Sequence, residues 1–197
     1  MKTKKFVLAS GSQARIEMLK HAGLAFDVHP ADLDEAGLQK EMAGQLPAKV
    51  AGELARQKAL TVSGRYPEAL VVGADQILVF EGGIVSKSNS KEEAGEKLLA
   101  FKGKPHRLIS AVSVCRDGKE VWSHRDEARL FVKDFDDNFL EEYLKYAGDA
   151  LTGCVGGYAL EGLGIRLFEK IEGDYFTILG LPLLPLLNFL DREEARA

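Results

Sequence analysis

Short apolar runs alternate with longer helix-like segments through the first third of the chain, and this alternation limits the possible folds more than any other feature. The patterns predict strands at residues 5–9, 26–29 and 70–73 and helices at residues 13–22 and 47–63. A strand followed by a helix and a second strand favours parallel pairing, because the helix carries the chain back to the same edge of a sheet. The sequence therefore predicts an α/β fold.

The middle of the chain is richer in strands. Apolar runs at residues 77–80 and 84–85 flank Glu81-Gly82-Gly83, a pattern typical of a hairpin. Further strands are predicted at residues 106–115, 120–123 and 127–133, with a turn at Asp117-Gly118. Short connections of this kind favour antiparallel pairing, so we expect a mixed sheet.

Helices and a glycine-rich loop are predicted in the rest of the chain. Ser90 and Glu93 have the spacing of a capping box that begins a helix, and another helix is predicted at residues 136–146. A glycine-rich loop at residues 153–164 leads into a predicted strand at 165–171, and Pro182 starts a closing helix.

Composition narrows the class of ligand. The chain has 197 residues, 46% of them hydrophobic, and a net charge of −4, which argues against an extended nucleic-acid surface and favours a small phosphorylated molecule. The apolar segment at residues 178–190 is interrupted by prolines and is too short to span a membrane. Two cysteines, Cys115 and Cys154, are predicted to be reduced packing residues. We expect a soluble cytoplasmic protein.

The first strand runs into a loop that suits a phosphate. Ser10-Gly11-Ser12 precedes a helix whose N-terminal N–H groups and dipole attract anions, and Arg15 adds a positive charge. Ser10 and Gln13 also stand at capping-box spacing, so the serines could simply cap the helix. The loop matches neither the P-loop nor the dinucleotide-binding pattern.

Three further positions carry groups suited to phosphate or metal chemistry. Asp75 follows a buried strand and a predicted small-residue turn, where it could bind a metal or act as a general base, or could be a structural turn residue. Glu35, in an acidic run with Asp32 and Asp34, could help to hold Mg²⁺ or could belong to a solvated loop. Lys58 shares a helix face with buried-type residues, so it either snorkels or points into a cleft.

The glycine-rich segment 156–164 surrounds one aromatic and one carboxylate. This composition indicates backbone passing close to a planar ligand, whose N–H groups Glu161 could bind, although a mobile surface loop has the same composition. Lys87 lies in a predicted loop, where a lysine is usually a surface residue. The four histidines show no metal-ligand spacing.

Taken in order, these segments resemble the Maf family of nucleoside triphosphate pyrophosphatases, named for septum formation. The similarity covers nearly the whole chain. The matching segments are Leu8-Ala9-Ser10-Gly11-Ser12 with Arg15, Asp34-Glu35, Ala55-Arg56-Gln57-Lys58-Ala59, Gly73-Ala74-Asp75, Lys87 with Glu92-Glu93-Ala94, Gly157-Tyr158 with Glu161-Gly162-Leu163-Gly164, Ile171-Glu172-Gly173-Asp174-Tyr175 and Gly180-Leu181-Pro182.

The resemblance implies a single domain over residues 1–197 with a mixed twisted sheet flanked by helices, forming two lobes around a central cleft, as in the Maf and ITPase-like fold. It also makes a homodimer plausible, with no nucleic-acid or membrane partner. The implied reaction is hydrolysis between the α- and β-phosphates of a nucleoside triphosphate, with Mg²⁺ or Mn²⁺ as cofactor.

The resemblance also implies residue roles. Asp75 would accept the proton of the attacking water and bind metal with Glu35, and Lys58 and Lys87 would serve in catalysis. Ser10 and Arg15 would join the two lysines in holding the triphosphate.

Three positions in the family are associated with the choice of base, and here they are Ala14, Gln76 and Glu161. Gln76 and Glu161 match the 7-methyl-GTP branch, whereas Ala14 stands where that branch has an aromatic able to stack on a cationic base. Activity on dTTP and UTP, or nucleotide binding without hydrolysis in a regulator of septum formation, are the alternatives.

The chain departs from the family pattern elsewhere. Gln13 and Ser88 replace usual prolines, and Ser110-Ala111 replaces a usual Thr-Gly.

Overall fold

The computed structural model describes residues 6–195, so the predicted start of the first strand at residue 5 lies outside it. The chain divides into two compact units. Unit 1 comprises Met1–Gln76, Ile109–Asp126 and Tyr175–Ala197, and unit 2 comprises Ile77–Leu108 and Glu127–Asp174.

Strands and helices alternate as the sequence predicts for an α/β fold. The strands in the described residues are β1 (Phe6–Leu8), β2 (Phe26–Val28), β3 (Val71–Phe80), β4 (Gly83–Val85), β5 (Pro105–Arg116), β6 (Lys119–Val132) and β7 (Phe168–Glu172). The helices are α1 (Gln13–His21), α2 (Glu35–Glu41), α3 (Pro47–Ser63), α4 (Lys91–Phe101), α5 (Asp137–Tyr146), α6 (Ala150–Gly153), α7 (Tyr175–Ile178) and α8 (Leu183–Ala195). A short 3₁₀ helix spans Leu163–Leu167.

The strands form one mixed, open sheet in the order β2-β1-β3-β5-β6-β7, with β4 paired to β3. β1 is parallel to both β2 and β3, with Leu8 opposite Val28 and Val72. β3 is antiparallel to β4, and β6 is antiparallel to β7. These pairings confirm the predicted mixture of parallel and antiparallel strands.

The two predicted turns are confirmed, and their geometry explains the residues that form them. Asp117 and Gly118 both have positive φ, of 52° and 70°. Glu81 and Gly82 do as well, at 48° and 85°. Two consecutive left-handed residues match the twist of the flanking strands in a tight hairpin.

Several element boundaries differ from the predictions. No turn follows Gly73, because β3 continues unbroken to Phe80. The strands predicted at residues 120–123 and 127–133 are the single strand β6. The strand predicted at residues 165–171 begins only at Phe168, after the 3₁₀ helix. The short helices α2, α6 and α7 were not predicted, since so few residues carry little periodicity.

Unit 1 has an aliphatic core. Leu8, Val72 and Val112 from neighbouring strands are buried with Leu19 of α1 and Leu186 of α8. On another side, Val7 and Val71 pack with Val62 of α3 and with Cys115. Both cysteines are free thiols, as predicted.

Unit 2 has an aromatic core centred on His106, which is 1% exposed. Its ring lies 4.9 Å from that of Phe101 and 5.9 Å from that of Phe168, measured between centroids. Burial lowers the pKa of His106 to about 4, so the imidazole is neutral at physiological pH. No helix in the described part of the chain is long and apolar enough to cross a membrane.

Candidate active site

A buried lysine in unit 1 joins two carboxylates that are distant in sequence. Lys58 Nζ donates to Asp75 Oδ1 at 2.8 Å and to Glu35 Oε2 at 2.9 Å. Lys58 is 8% exposed and Asp75 is 6% exposed, whereas the Glu35 side chain is 48% exposed. The cluster therefore has a buried end at Asp75 and an open end at Glu35.

Small residues allow this contact to form. A Cβ on Gly73 would lie 2.2 Å from the carbonyl oxygen of Ala55 and 2.6 Å from the amide nitrogen of Ala59, so only glycine permits α3 to lie this close to β3. Lys58 is on the facing side of α3, and Asp75 is two residues along β3 from Gly73. Glycine here marks a close approach of helix and strand, which is why the predicted turn was wrong.

Glu35 is placed by the start of α2. The Asp34 side chain accepts a hydrogen bond from the Gly37 N–H at 2.9 Å and so caps this helix. Glu35 is then its first residue, while Asp32 is exposed. The acidic run is thus partly a helix cap and partly a component of the cluster.

Burial dominates the electrostatics of Asp75. Desolvation raises the pKa of its carboxyl above the ordinary value of 3.8, and the charge on Glu35 acts in the same direction. Lys58 and Arg15 oppose this shift. The second oxygen, Asp75 Oδ2, is buried and has no hydrogen-bond partner.

Arg15 acts mainly as a tether. Its Nε donates to the Gly180 carbonyl at 2.8 Å, and its Nη1 donates to the Ala74 carbonyl at 3.0 Å and to Ser10 Oγ at 3.1 Å. These bonds use three of the five N–H groups of a guanidinium. Burial also lowers the pKa of the Arg15 guanidinium below its ordinary value.

The predicted capping box at Ser10 and Gln13 does not form. Ser12 is the N-cap residue of α1 and makes no side-chain capping bond. Ser10 Oγ instead accepts from Arg15 and from the Ser12 N–H, and Gln13 binds Glu17 on its own helix. Ser10 binds Arg15 rather than capping the helix because a buried cation needs hydrogen-bond acceptors.

Of the three positions associated with base choice, two lie in unit 1. Ala14 is half-buried in the first turn of α1. Gln76 follows Asp75 on β3, and its Nε2 donates to the carbonyls of Thr177 and Ile178 at 3.1 and 2.9 Å and to Ser110 Oγ at 3.1 Å.

The other predicted site residues, Lys87 and Glu161, lie in unit 2 and are exposed. They share a neighbourhood, because both act on the Cys154 thiol: Glu161 raises its pKa and Lys87 lowers it, although burial is the largest cause of the raised value. Lys97 of α4 anchors both loops by donating to the Ser86 carbonyl at 2.6 Å and the Val155 carbonyl at 3.2 Å.

The glycines beside Glu161 have a packing role. A Cβ on Gly156 would lie 2.2 Å from the ring of Tyr158, and one on Gly164 would lie 2.4 Å from the Ala159 carbonyl oxygen. Tyr158 is 6% exposed, and its hydroxyl pairs with His106. These glycines let the loop close around a buried tyrosine, which explains them without a planar ligand.

The structure places two of the predicted metal ligands, the carboxylates of Asp75 and Glu35, on the same lysine. Within residues 6–195 no group of three or more His, Cys, Asp or Glu side chains could hold a metal ion. Mg²⁺ is commonly bound by one or two carboxylates together with substrate phosphates and water. Asp75 and Glu35 supply two such carboxylates and so fit that pattern.

Sequence reasoning missed the residues that act through others. Lys97, Thr177 and Asp126 were given no role, yet Thr177 Oγ1 contacts Asp126 Oδ2 at 3.1 Å, and the Thr177 carbonyl anchors Gln76. Ser110 was noted only as a departure from the family pattern. No local motif marks such residues, because their partners lie far away in the sequence.

Comparison with known proteins supplies independent information. A family model described as "Maf-like protein" matches residues 5–193. A "Nucleoside triphosphate pyrophosphatase" of Paramagnetospirillum magneticum is 50% identical over 186 residues, covering 93% of this chain and 96% of that protein.

Two further relatives have a more specific name, "7-methyl-GTP pyrophosphatase". The protein of Brucella suis is 46% identical over 194 residues, 98% of each chain. That of Rhizobium etli is 44% identical over 190 residues, 95% of this chain and 96% of that protein.

Proposed function

This chain belongs to the Maf family, and we propose that it hydrolyses the α–β phosphate bond of a nucleoside triphosphate to the monophosphate and pyrophosphate, with 7-methyl-GTP as the preferred nucleotide. The relatives named above support the reaction class. The observation that carries the proposal within the molecule is the buried Asp75, paired with Lys58 through one oxygen and unpartnered at the other.

Asp75 has the properties of a general base. Its raised pKa makes it a stronger proton acceptor than an exposed aspartate, and Oδ2 is the oxygen left for a water molecule. In the proposed step Oδ2 takes a proton from water, the water oxygen bonds to one phosphorus of the α–β anhydride, and the bond from that phosphorus to the bridging oxygen breaks. The bridging oxygen keeps the electron pair of the broken bond.

The charges of the cluster explain why a divalent cation is proposed. Lys58 and Arg15 are balanced by Asp75 and Glu35, so the four side chains supply no surplus positive charge for a triphosphate. Asp75 and Glu35 would hold the Mg²⁺ or Mn²⁺ ion, which neutralises phosphate charge when it is bound. Lys58, Lys87, Arg15 Nη2 and Ser10 are the groups proposed to bind phosphate oxygens.

The preference for 7-methyl-GTP is the finer part of the proposal. Glu161 is exposed and presents a carboxylate, which suits the N–H donors and positive charge of a methylated guanine. Gln76 and Glu161 are the residues that match the 7-methyl-GTP branch of the family, and two relatives are named 7-methyl-GTP pyrophosphatase. The 50% identical relative is named only for nucleoside triphosphates, so dTTP and UTP are the comparison substrates.

The test measures pyrophosphate release by the purified protein with Mg²⁺ or Mn²⁺ from 7-methyl-GTP, GTP, dTTP and UTP. It includes the Asp75→Asn variant and, as a matched control, Asp134→Asn, because the Asp134 side chain is 84% exposed. We expect at least about a hundredfold loss for Asp75→Asn and no change for Asp134→Asn. The Asp75→Asn protein should fold normally, since asparagine keeps an oxygen for Lys58 and removes a buried charge.

Each part of the proposal has its own contrary result. Equal turnover of 7-methyl-GTP and dTTP would refute the preference, and an unchanged rate for Asp75→Asn would refute the role of that carboxylate. Binding of nucleotides without turnover of any of them would favour a non-catalytic regulator.

A further inference from the structure

The nitrogen end of the Gln76 side-chain amide is hydrogen-bonded within the protein. Its Nε2 donates to the Thr177 and Ile178 carbonyls and to Ser110 Oγ at 2.9–3.1 Å. Ser110 and Thr177 are each 0% exposed, so this end of the amide is enclosed. A buried amide N–H₂ group without acceptors would be destabilising, which makes this set of partners a strong restraint.

The two carbonyl partners set the orientation of the amide, because a carbonyl oxygen can only accept a hydrogen bond. Ser110 Oγ donates its hydrogen to the Thr177 carbonyl at 2.7 Å, so toward Gln76 it can only accept. All three partners of the Gln76 nitrogen are therefore acceptors. A flipped amide would place Oε1 against the two carbonyl oxygens of Thr177 and Ile178, which is strongly unfavourable.

The carbonyl that both Ser110 and Gln76 use is itself held in place. It belongs to Thr177, whose Oγ1 contacts Asp126 Oδ2 at 3.1 Å. Three residues further on, the Gly180 carbonyl accepts from Arg15 Nε at 2.8 Å. The segment around α7 is thus fixed by side chains on both sides of the amide contact.

We propose that Ser110 is a positioning residue that, with the Thr177 and Ile178 carbonyls, fixes the Gln76 amide so that Oε1 alone is available to the nucleotide. This inference rests on the proposed function and deepens it. Gln76 then recognises the base only as a hydrogen-bond acceptor, so the preferred base must present an N–H donor to it. Guanine supplies two such groups, the ring N1–H and the exocyclic N2–H₂.

The first test compares nucleotides that differ in one donor. Pyrophosphate release is measured from 7-methyl-GTP, from its 1-methyl derivative, which lacks the ring N–H, and from 7-methyl-ITP, which lacks the exocyclic amine. We expect kcat/KM to fall about tenfold to a hundredfold for at least one analogue, because the acceptor is then left unpaired. The Gln76→Ala variant should lose that preference.

The Ser110 variants test the positioning role. Ser110→Ala should reduce the preference between the donor-bearing and donor-lacking nucleotides several-fold, and Ser110→Thr, which keeps the hydroxyl, should restore it. Ser113→Ala is the matched control, because Ser113 is also buried on β5 but bonds to Glu120. It should keep the preference of the natural protein.

A second measurement does not depend on turnover. In ¹⁵N–¹H NMR spectra the Gln76 side-chain N–H₂ protons should exchange slowly with solvent in the natural protein and faster in Ser110→Ala. If the natural protein hydrolyses no triphosphate, the proposed function has failed, and these exchange rates still decide the orientation of the amide.

Three results would overturn the inference. The first is a Ser110→Ala preference equal to that of the natural protein. The second is fast exchange of the Gln76 amide protons in the natural protein. The third is full activity and preference in Gln76→Glu, whose carboxylate cannot donate to the two carbonyls.

Discussion

The predicted site residues of the two units are held in opposite ways. In unit 1, Lys58, Asp75 and Arg15 are buried, and each side chain forms at least one hydrogen bond. In unit 2, Lys87 and Glu161 are exposed, and only the backbone of nearby loop residues is anchored, by Lys97. Unit 1 therefore fixes the charged atoms themselves, whereas unit 2 fixes the loops and leaves the charged ends free.

This difference has an energetic consequence. Burying charge is unfavourable unless it is paired, so the unit 1 residues should contribute to folding stability as well as activity. The unit 2 residues should affect activity alone, because an exposed side chain gains little from its surroundings. Variants of single residues can break or sharpen this contrast.

The largest effect is expected for Lys58→Met. Removing the ammonium leaves Asp75 buried without its cation, so the free energy of unfolding at pH 7 should fall by about 3 kcal/mol. Activity should fall at least about a hundredfold. Urea denaturation and pyrophosphate release measure the two effects.

The pH dependence and a control sharpen the result for Lys58. The loss of stability should be smaller at low pH, because a protonated Asp75 needs no cation. Lys49→Met, an exposed lysine on the same helix, should behave as the natural protein. Equal stability of Lys58→Met and the natural protein at pH 7 would contradict the distinction between the units.

Lys87→Met should separate activity from stability. We expect activity to fall about tenfold or more, since one of the cations proposed to bind phosphate is lost, while the free energy of unfolding changes by less than about 0.5 kcal/mol. Lys91→Met, another exposed lysine of unit 2, is the control and should leave both unchanged. A large loss of stability in Lys87→Met would show that the unit 2 site is also structurally committed.

Glu35→Gln should move the pH profile. The charge on Glu35 raises the pKa of Asp75, so removing that charge lowers this pKa. If catalysis needs ionised Asp75, activity rises as the pH passes upward through its pKa, and the rising limb of kcat/KM should shift to lower pH. A limb that stays in place or moves to higher pH would exclude Asp75 as the titrating group.

The same variant tests the proposed cation. Glu35→Gln should need a higher concentration of Mg²⁺ for half-maximal activity, because one carboxylate ligand is lost. The Mg²⁺ concentration for half-maximal activity of the conservative Glu35→Asp variant should lie between those of the natural protein and Glu35→Gln. An unchanged Mg²⁺ requirement would remove Glu35 from the metal site while leaving the pH prediction intact.

The smallest effect is expected at Ser88, next to Lys87. Ser88 is 4% exposed and its Oγ has no hydrogen-bond partner, so the hydroxyl is destabilising where it stands. Ser88→Ala should raise the free energy of unfolding by about 1 kcal/mol, measured by denaturation. Ser86→Ala changes an exposed serine two residues away and should have no such effect.

Much of the fold could be predicted because it follows from local patterns. The bounds of α3 agree with the prediction of residues 47–63, since its apolar periodicity is continuous and begins with a proline. The Asp117-Gly118 turn agrees as well, because few residue pairs adopt two positive φ angles. Gly73 was misinterpreted, because a glycine at a turn and a glycine beneath a helix look identical in sequence.

The candidate site could be predicted in its residues and only partly in its contacts. The sequence identified Asp75, Lys58 and Glu35 as separate candidates, yet 17 and 23 residues separate Lys58 from its two partners. The position of Asp75 was also different from that expected, since it lies within β3 and not after its end.

By itself the sequence determined which chemical groups this protein has at the candidate site: three carboxylates, three cations and an amide, on elements of an α/β fold. Only the tertiary structure decided what each group is paired with. It also decided which oxygen of Asp75 lacks a hydrogen-bond partner and which end of the Gln76 amide is hydrogen-bonded within the protein. The physical reason is that turns, caps and periodicity act over a few residues, whereas burial and hydrogen bonding depend on elements brought together from distant parts of the chain.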